Sequence, residues 1–465
     1  MKKQYKQNGI TLVALVITII ILLILAGISI SSLTNQGLFT QAENAKTASE
    51  IANIKEQIQL DIYEKQLEPP LGSITEGELE TILSSYGTVN KGEDGTIIGI
   101  TTDKGYEILL SEIYSGTTTG EQNPTEKTPL EKAEAAKPNG STITVTDASQ
   151  GIVMIDSRNN EWVWIEVPKT VFKTATKADE YDKIKADLIT YASIYREGKA
   201  GQGRYWTDEW YDGCGIADSS TYTETYNKML SSVYTNGGFW ISRYEIGDST
   251  ATASNTTRTS DSGTTGIAVS KADQIPYNYV TCSQAQTLAS GMSTDTNKTS
   301  SLLFGIQWDL VCKYLEVNGN WDTTTNTASY YLNSNSTSWG NYNNSSLLLY
   351  RGKYNINPSS STSAWTPYGT NTTNYVTSSK TSSNTSYYQL LTTGASEQTK
   401  KMNIYDFAGN EYEWTLEHAT SSAINPCATR GGGYNNGGSS VPASYRGNYL
   451  TASSYDNIGF RSALY

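Results

Sequence analysis

Histidine is nearly missing from this 465-residue chain, His418 being the single copy. A metal site built on paired imidazoles is thereby excluded, and any Ser-His-Asp or Cys-His device has to run through His418. Cysteine is almost as scarce. Cys214, Cys282, Cys312 and Cys427 lie too far apart in sequence for a C-x-x-C zinc or redox motif. Outside the cell an even number permits two disulfides in any of three pairings; four small buried thiols are the alternative. Basic residues are in the minority, with 34 Lys and Arg against 46 Asp and Glu and a net charge of -12. Nucleic acid is excluded as a partner, because phosphate binding needs clustered cations.

What is abundant points the other way. The chain has 33 Tyr and 10 Trp against 6 Phe, charged residues make up only 17%, and Ser, Thr, Asn and Gly fill long tracts. Thr323 to Tyr350 contains no charged residue at all. Amphipathic rings among uncharged hydrogen-bonding loops are the chemistry of a binding face. So much aromatic surface is also enough to build a core, which argues against disorder.

The N-terminus supplies the one long apolar run, "ITLVALVITIIILLILAGISI" from Ile10 to Ile30. Its length suffices to span a bilayer as a helix. Lys2, Lys3 and Lys6 precede it, so the expected topology is single-pass with everything after residue 30 outside the cell membrane. Gly9 is the turn-like break, and it comes before the run. This arrangement resembles the prepilin-type leader of type IV pilins, in the "GITLVALVITII" version common in Gram-positive anaerobes. The resemblance implies cleavage after Gly9 by a prepilin peptidase, methylation of Ile10, and other pilin subunits as possible partners. Pilins carry a glutamate at the fifth mature position, where this chain has Ala14.

Beyond the span, Leu38, Ala42, Ala45, Ala48, Ile51, Ile54, Ile58 and Ile62 recur at helical spacing until Pro69-Pro70. Thr75 with Glu78 predicts a capped second helix. "TIIGITT" and "GYEILLSEI" predict two strands joined at Asp103-Lys104-Gly105. Residues 31–115 therefore read as a pilin-like helix and small α/β stalk. Residues 116–141, with Pro124, Pro129 and Pro138, read as a linker, and residues 142–465 as a separate domain.

Within that last domain "EWVWIEVPK", "GGFWISRYEIG", "GNEYEWT" (409–415), "RGG" (430–432) and "GFR" (459–461) recur in an order that resembles the formylglycine-generating (sulfatase-modifying factor) family. The resemblance implies an α+β fold, an irregular C-type-lectin-like domain. The family's copper-binding cysteines fall at about Asn436 and Val441 here, so neither thiolate is present, and no copper and no catalysis are expected. Its possible calcium site falls on Asn410 and Glu413, with Tyr412 replacing the usual tryptophan and Trp414 retained. Arg430 and Arg461 are expected to tie the last strands to the core. Between them Tyr434, Asn435, Asn436, Tyr445, Arg446, Asn448, Tyr449 and Tyr455 offer the rings and amides of a paratope. Lectin-fold proteins diversified by retroelements vary in this same segment. The expected function is a cell-surface or pilus-associated, adhesin-like protein that binds an extracellular glycan or protein. A formylglycine-generating oxidase and a structural pilin are the alternatives.

Overall fold

The computed structural model describes residues 38–66, 74–92, 95–114, 127–197, 205–251, 258–259, 262–360, 363–367 and 389–465. Gly9, Ile10 and the apolar span 10–30 lie outside the described residues. Among the described residues no helix is long and apolar enough to cross a membrane. The chain divides into two compact units, residues 1–125 and 126–465.

In the first unit the isoleucine stripe forms one face of helix α1 (Leu38–Gln66). Ile58 and Ile62 are buried among Ile74, Leu79, Leu83, Ile100 and Ile108. Helix α2 (Glu76–Ser84) starts as its sequence predicts. Thr75 accepts from the Glu78 amide, and the Glu78 carboxylate accepts from the Thr75 amide at 2.9 Å. The sheet has three antiparallel strands rather than two, in the order β1 (Gly87–Lys91), β2 (Ile97–Thr102), β3 (Glu107–Leu109). Strand β1 reads "GTVNK" and buries none of its side chains fully, so it carries no apolar alternation to reveal it.

The second unit begins earlier than expected. Part of the predicted linker is helix α3 (Pro129–Ala136), capped by Thr128 and Glu131 with Pro129 in its first turn. Proline preset for the helical φ starts this helix instead of breaking it. Ala133 and Ala136 are buried in the domain core, and Lys132 reaches Glu166 at 2.9 Å.

The core of this unit lies between two sheets and a set of helices. The larger sheet runs β9-β14-β8-β6-β5-β4, comprising β4 (Thr142–Val145), β5 (Val153–Ile155), β6 (Glu161–Glu166), β8 (Gly238–Ser242), β9 (Ser300–Leu302) and β14 (Ser462–Leu464). Its central strands β6 and β8 are covered on both faces, which is why "WVWI" and "GFWIS" read as continuous apolar runs. The second sheet runs β12-β11-β10-β13, from β10 (Tyr412–Ala419), β11 (Cys427–Arg430), β12 (Arg446–Tyr449) and β13 (Ile458–Phe460). A short strand β7 (Trp206–Thr207) pairs with the end of β10. Among the described strands the β10–β13 pair is parallel and the others are antiparallel. Helices α4 (Tyr181–Tyr191), α5 (Ser219–Asn236), α6 (Cys282–Ser290) and α7 (Gly305–Asn318) complete the core. Two small antiparallel sheets join Gly247–Asp248 to its neighbours Ala268–Val269 and Ile275–Pro276, and Lys353–Asn355 to Thr366–Pro367 and Leu390–Leu391. The architecture is mixed α+β, as the sequence suggested.

Candidate ligand-binding face

The stretch "GNEYEWTLEHA" is the central strand of the second sheet with its entry turn. Gly409 and Asn410 both adopt the left-handed conformation, at φ 73° and 59°. A Cβ on Gly409 would lie 2.3 Å from the Asn341 carbonyl oxygen, so glycine is required there, while asparagine tolerates its own position. Glu413 and Glu417 then project from β10 into the interior, each against arginine.

Arg461, at the joint between β13 and β14, reaches Glu413 at 2.9 Å and also donates to the carbonyls of Ser242 and Tyr405, both at 2.8 Å. Glu417 belongs to a larger cluster with Asp208, Asp309, Arg196, Arg430 and Arg446. Arg430 meets Asp309 at 2.6 Å and Glu417 at 2.9 Å, and Arg446 meets the same two carboxylates at 2.9 and 3.0 Å. Arg196 reaches Asp208, Asp309 and Glu417 at 3.1, 3.4 and 3.0 Å. Three cations balance three anions, all buried. Burial alone would raise Glu417, yet Arg446, Arg430 and Arg196 hold its carboxyl down at about 2. Arg430 and Arg461 thus tie the last strands to the core, as expected of them.

Arg446 does not line a surface. In a strand, neighbouring side chains point to opposite sides. Tyr445 and Tyr449 therefore share one side of β12, while Arg446 and Asn448 share the other, where Arg446 is taken up by the ion cluster. Tyr434 is likewise no surface anchor. It is 3% exposed, packs with Ile275, Trp365 and Leu390, and donates to Asp456 at 2.8 Å.

The proposed calcium pair is also engaged internally. Asn410 Oδ1 accepts from Asn341 Nδ2 at 2.9 Å and from the Leu391 amide at 3.0 Å, and its Nδ2 donates to Glu245 at 2.5 Å. With Glu413 held by Arg461, the two residues do not form a donor set for a hard cation, which needs six or more oxygens. Copper fits no better at its family position. Asn436 and the buried Val441 offer no soft ligand, and Asn436 Oδ1 accepts from the Tyr412 hydroxyl at 3.0 Å.

One carboxylate in this turn is unusual. Glu411 is buried with no hydrogen-bond partner on either oxygen, and Asn278 Oδ1 beside it has none either. Burial, with Glu413 and Asp456 close by, raises the Glu411 carboxyl well above its ordinary value. Asn278 pulls the other way, favouring the charged form, and burial outweighs it. Because its folded pKa is raised, stability falls as pH rises above the unfolded value of about 4.3. The slope is about 1.4 kcal/mol per pH unit until the folded pKa is reached. Glu411→Gln should therefore be more stable than the parent protein at pH 7, and the gain should vanish near pH 4. Urea melts across that range test it, and a variant destabilised at pH 7 would contradict a protonated Glu411.

The remaining tyrosines form a connected, partly exposed patch. Tyr455 is 46% exposed and lies 5.9 Å from the Tyr449 ring. Tyr412 links Tyr449 at 6.5 Å and Tyr445 at 6.3 Å, and Tyr449 rests edge-on against buried Trp414 at 5.8 Å. Asn435 and Asn436 stand beside this patch. The uncharged loop also joins it, since the Asn343 amide and side chain donate to the carbonyls of Asn436 and Asn435 at 2.9 and 3.1 Å. Asn344 Oδ1 accepts from the Gly438 amide at 3.1 Å. Asn343 and Asn344 escaped the sequence reading as members of this face. Their only signal was the lack of charge in residues 323–350.

These features define a mixed α+β protein whose C-terminal sheet carries an aromatic, amide-rimmed face over a buried ion cluster. No protein-family model matches the chain, and no curated protein does. Among solved structures, Treponema denticola variable protein 1 is similar, at 18% identity and a TM-score of 0.18, over 36% of this chain. The chain spans about half of that protein, 48% of its length.

Proposed function

We propose that this is an adhesin-like surface protein whose C-type-lectin-like head binds an extracellular glycan or protein through Tyr445, Tyr449 and Tyr455, with Asn435 and Asn436 at the rim. The observation that carries this is the contiguous tyrosine patch, half-exposed on a rigid sheet and backed by Trp414. Rigid rings give contact area at low entropic cost, and amides adapt to the partner. Within the segment 434–457 the exposed positions, Tyr455 among them, can vary in sequence without loss of the core, as retroelement diversification would require, while buried Tyr434 and Arg446 are held fixed by the fold. In this reading the head works without copper or catalysis. Residues 10–30, processed between Gly9 and Ile10 by a prepilin peptidase, anchor it in the cell membrane with the head outside, alone or among other pilin subunits.

Binding energy should concentrate in a few rings. Once a ligand is found by glycan array or by pull-down on candidate cells, Tyr445→Ala and Tyr455→Ala should each weaken binding by about 1–4 kcal/mol. The melting temperature should barely move. Full affinity in both variants would place the binding face elsewhere.

A further inference from the structure

Next to the tyrosine patch, two amides bring unbonded ends to one place. Asn343 is half-buried and Asn344 is exposed. Each is oriented by the bonds it already makes. Asn343 Nδ2 donates to the Asn435 carbonyl at 3.1 Å. Asn344 Oδ1 accepts from the Gly438 amide at 3.1 Å and from the Thr337 hydroxyl at 3.4 Å. Asn343 Oδ1 and Asn344 Nδ2 are thereby left without a protein partner among the described residues. Both border Gly437, where a Cβ would lie 3.6 Å from Asn344 Nδ2 and 3.7 Å from Asn343 Oδ1. Gly437 does not take a left-handed φ, so its backbone does not require glycine. The missing side chain leaves an acceptor and a donor uncovered side by side.

We propose that Asn343 Oδ1 and Asn344 Nδ2, over Gly437, form a subsite for an uncharged saccharide beside the tyrosine patch; this rests on the ligand-binding reading of that patch. Asn436 joins the two parts. Its carbonyl accepts from the Asn343 amide at 2.9 Å, its Oδ1 accepts from the Tyr412 hydroxyl at 3.0 Å, and the Tyr412 ring borders Tyr445 and Tyr449. A hydroxyl both donates and accepts, so two hydroxyls of one sugar can meet the amide oxygen and the amide nitrogen in turn. The C–H face of the same sugar is apolar and suits a tyrosine ring. Few polar groups, placed together beside rings, are the lining of a small-ligand site. Charge selects among saccharides. Residues 323–350 carry none, and residues 434–457 carry only Arg446 and Asp456. Arg446 is spent in the interior, and Asp456 accepts from the Tyr434 hydroxyl at 2.8 Å. An ionic ligand would lose water here and meet no opposite charge in return. A neutral one loses nothing of that kind.

The full chain in detergent, applied to an array of neutral, sialylated and sulfated oligosaccharides, tests this. Neutral oligosaccharides should be retained, and equally so at about 1 M NaCl, where the screening length is only about 3 Å. In titration with a retained oligosaccharide, Gly437→Ala should weaken binding about tenfold or more, because its methyl group covers both amide ends. Asn344→Asp keeps the oxygen that orients the side chain and exchanges the donor for an acceptor, so it should weaken binding about three- to tenfold. Both variants should melt with the parent protein, since a Cβ at Gly437 meets only ordinary contacts. An array that retains only acidic oligosaccharides, or none, overturns the proposal, as does full affinity in both amide-site variants. If Tyr445→Ala and Tyr455→Ala lose the oligosaccharide while Gly437→Ala and Asn344→Asp hold it, the patch binds and the subsite falls. Loss in the amide-site variants alone keeps the subsite and overturns the tyrosine reading instead.

Discussion

Arg446→Ala should unfold the C-terminal domain rather than trim a surface contact. The side chain lies wholly inside, donating to Asp309, to Glu417 and, at 2.7 Å, to the Tyr195 carbonyl. Its removal leaves three buried carboxylates, Asp208, Asp309 and Glu417, against only Arg196 and Arg430, with one negative charge uncompensated. Breaking a buried pair in this way costs about 3–5 kcal/mol, because the remaining charge keeps its desolvation penalty without its partner. Urea denaturation followed by tryptophan fluorescence should show the loss as a shifted midpoint. A midpoint equal to that of the parent protein would mean Arg446 is solvated after all. Acid should act on the same cluster. The Glu417 carboxyl is depressed to about 2, so its contribution is complete above the unfolded value and fades as pH falls through about 4 towards 2.

Trp414→Ala should cost a comparable amount, about 3–5 kcal/mol for a buried aromatic replaced by a methyl group. Trp414 is 1% exposed, and its indole donates to the Val280 carbonyl at 2.9 Å. The truncation therefore opens a cavity and orphans a buried acceptor together. Because Tyr449 leans on this ring, ligand affinity should fall with stability. That sets it apart from Tyr455→Ala, where affinity should fall alone. Calorimetry on both variants separates the cases, and a Trp414→Ala protein melting within a degree or two of the parent would show that the sheet does not rest on this ring.

Where signals were local, sequence and structure agree. The Thr75 and Glu78 spacing marked the start of α2 because a capping box closes within four residues. Ile58 and Ile62 marked the inner face of α1 because helical periodicity is a property of the segment itself. The same kind of signal was present at Thr128 and Glu131, but three prolines nearby outweighed it, and a helix was read as linker.

The fate of the segment between Arg430 and Arg461 required distant partners. Composition alone established that the chain is rich in tyrosine and uncharged hydrogen-bonding residues, has more acidic than basic residues and has a single histidine. Alternation along β12 could have separated Arg446 from Tyr445 and Tyr449, since adjacent strand residues face opposite ways. Which of the two sides was interior depended on Arg196 and Asp309, more than 130 residues away in the chain, arriving with compensating charge. The same holds for Tyr434, buried by Ile275 and Trp365, and for Glu413, taken by Arg461 instead of a cation. A residue's type sets what it can bond. Only the folded chain sets which partner reaches it first and whether water is left to compete.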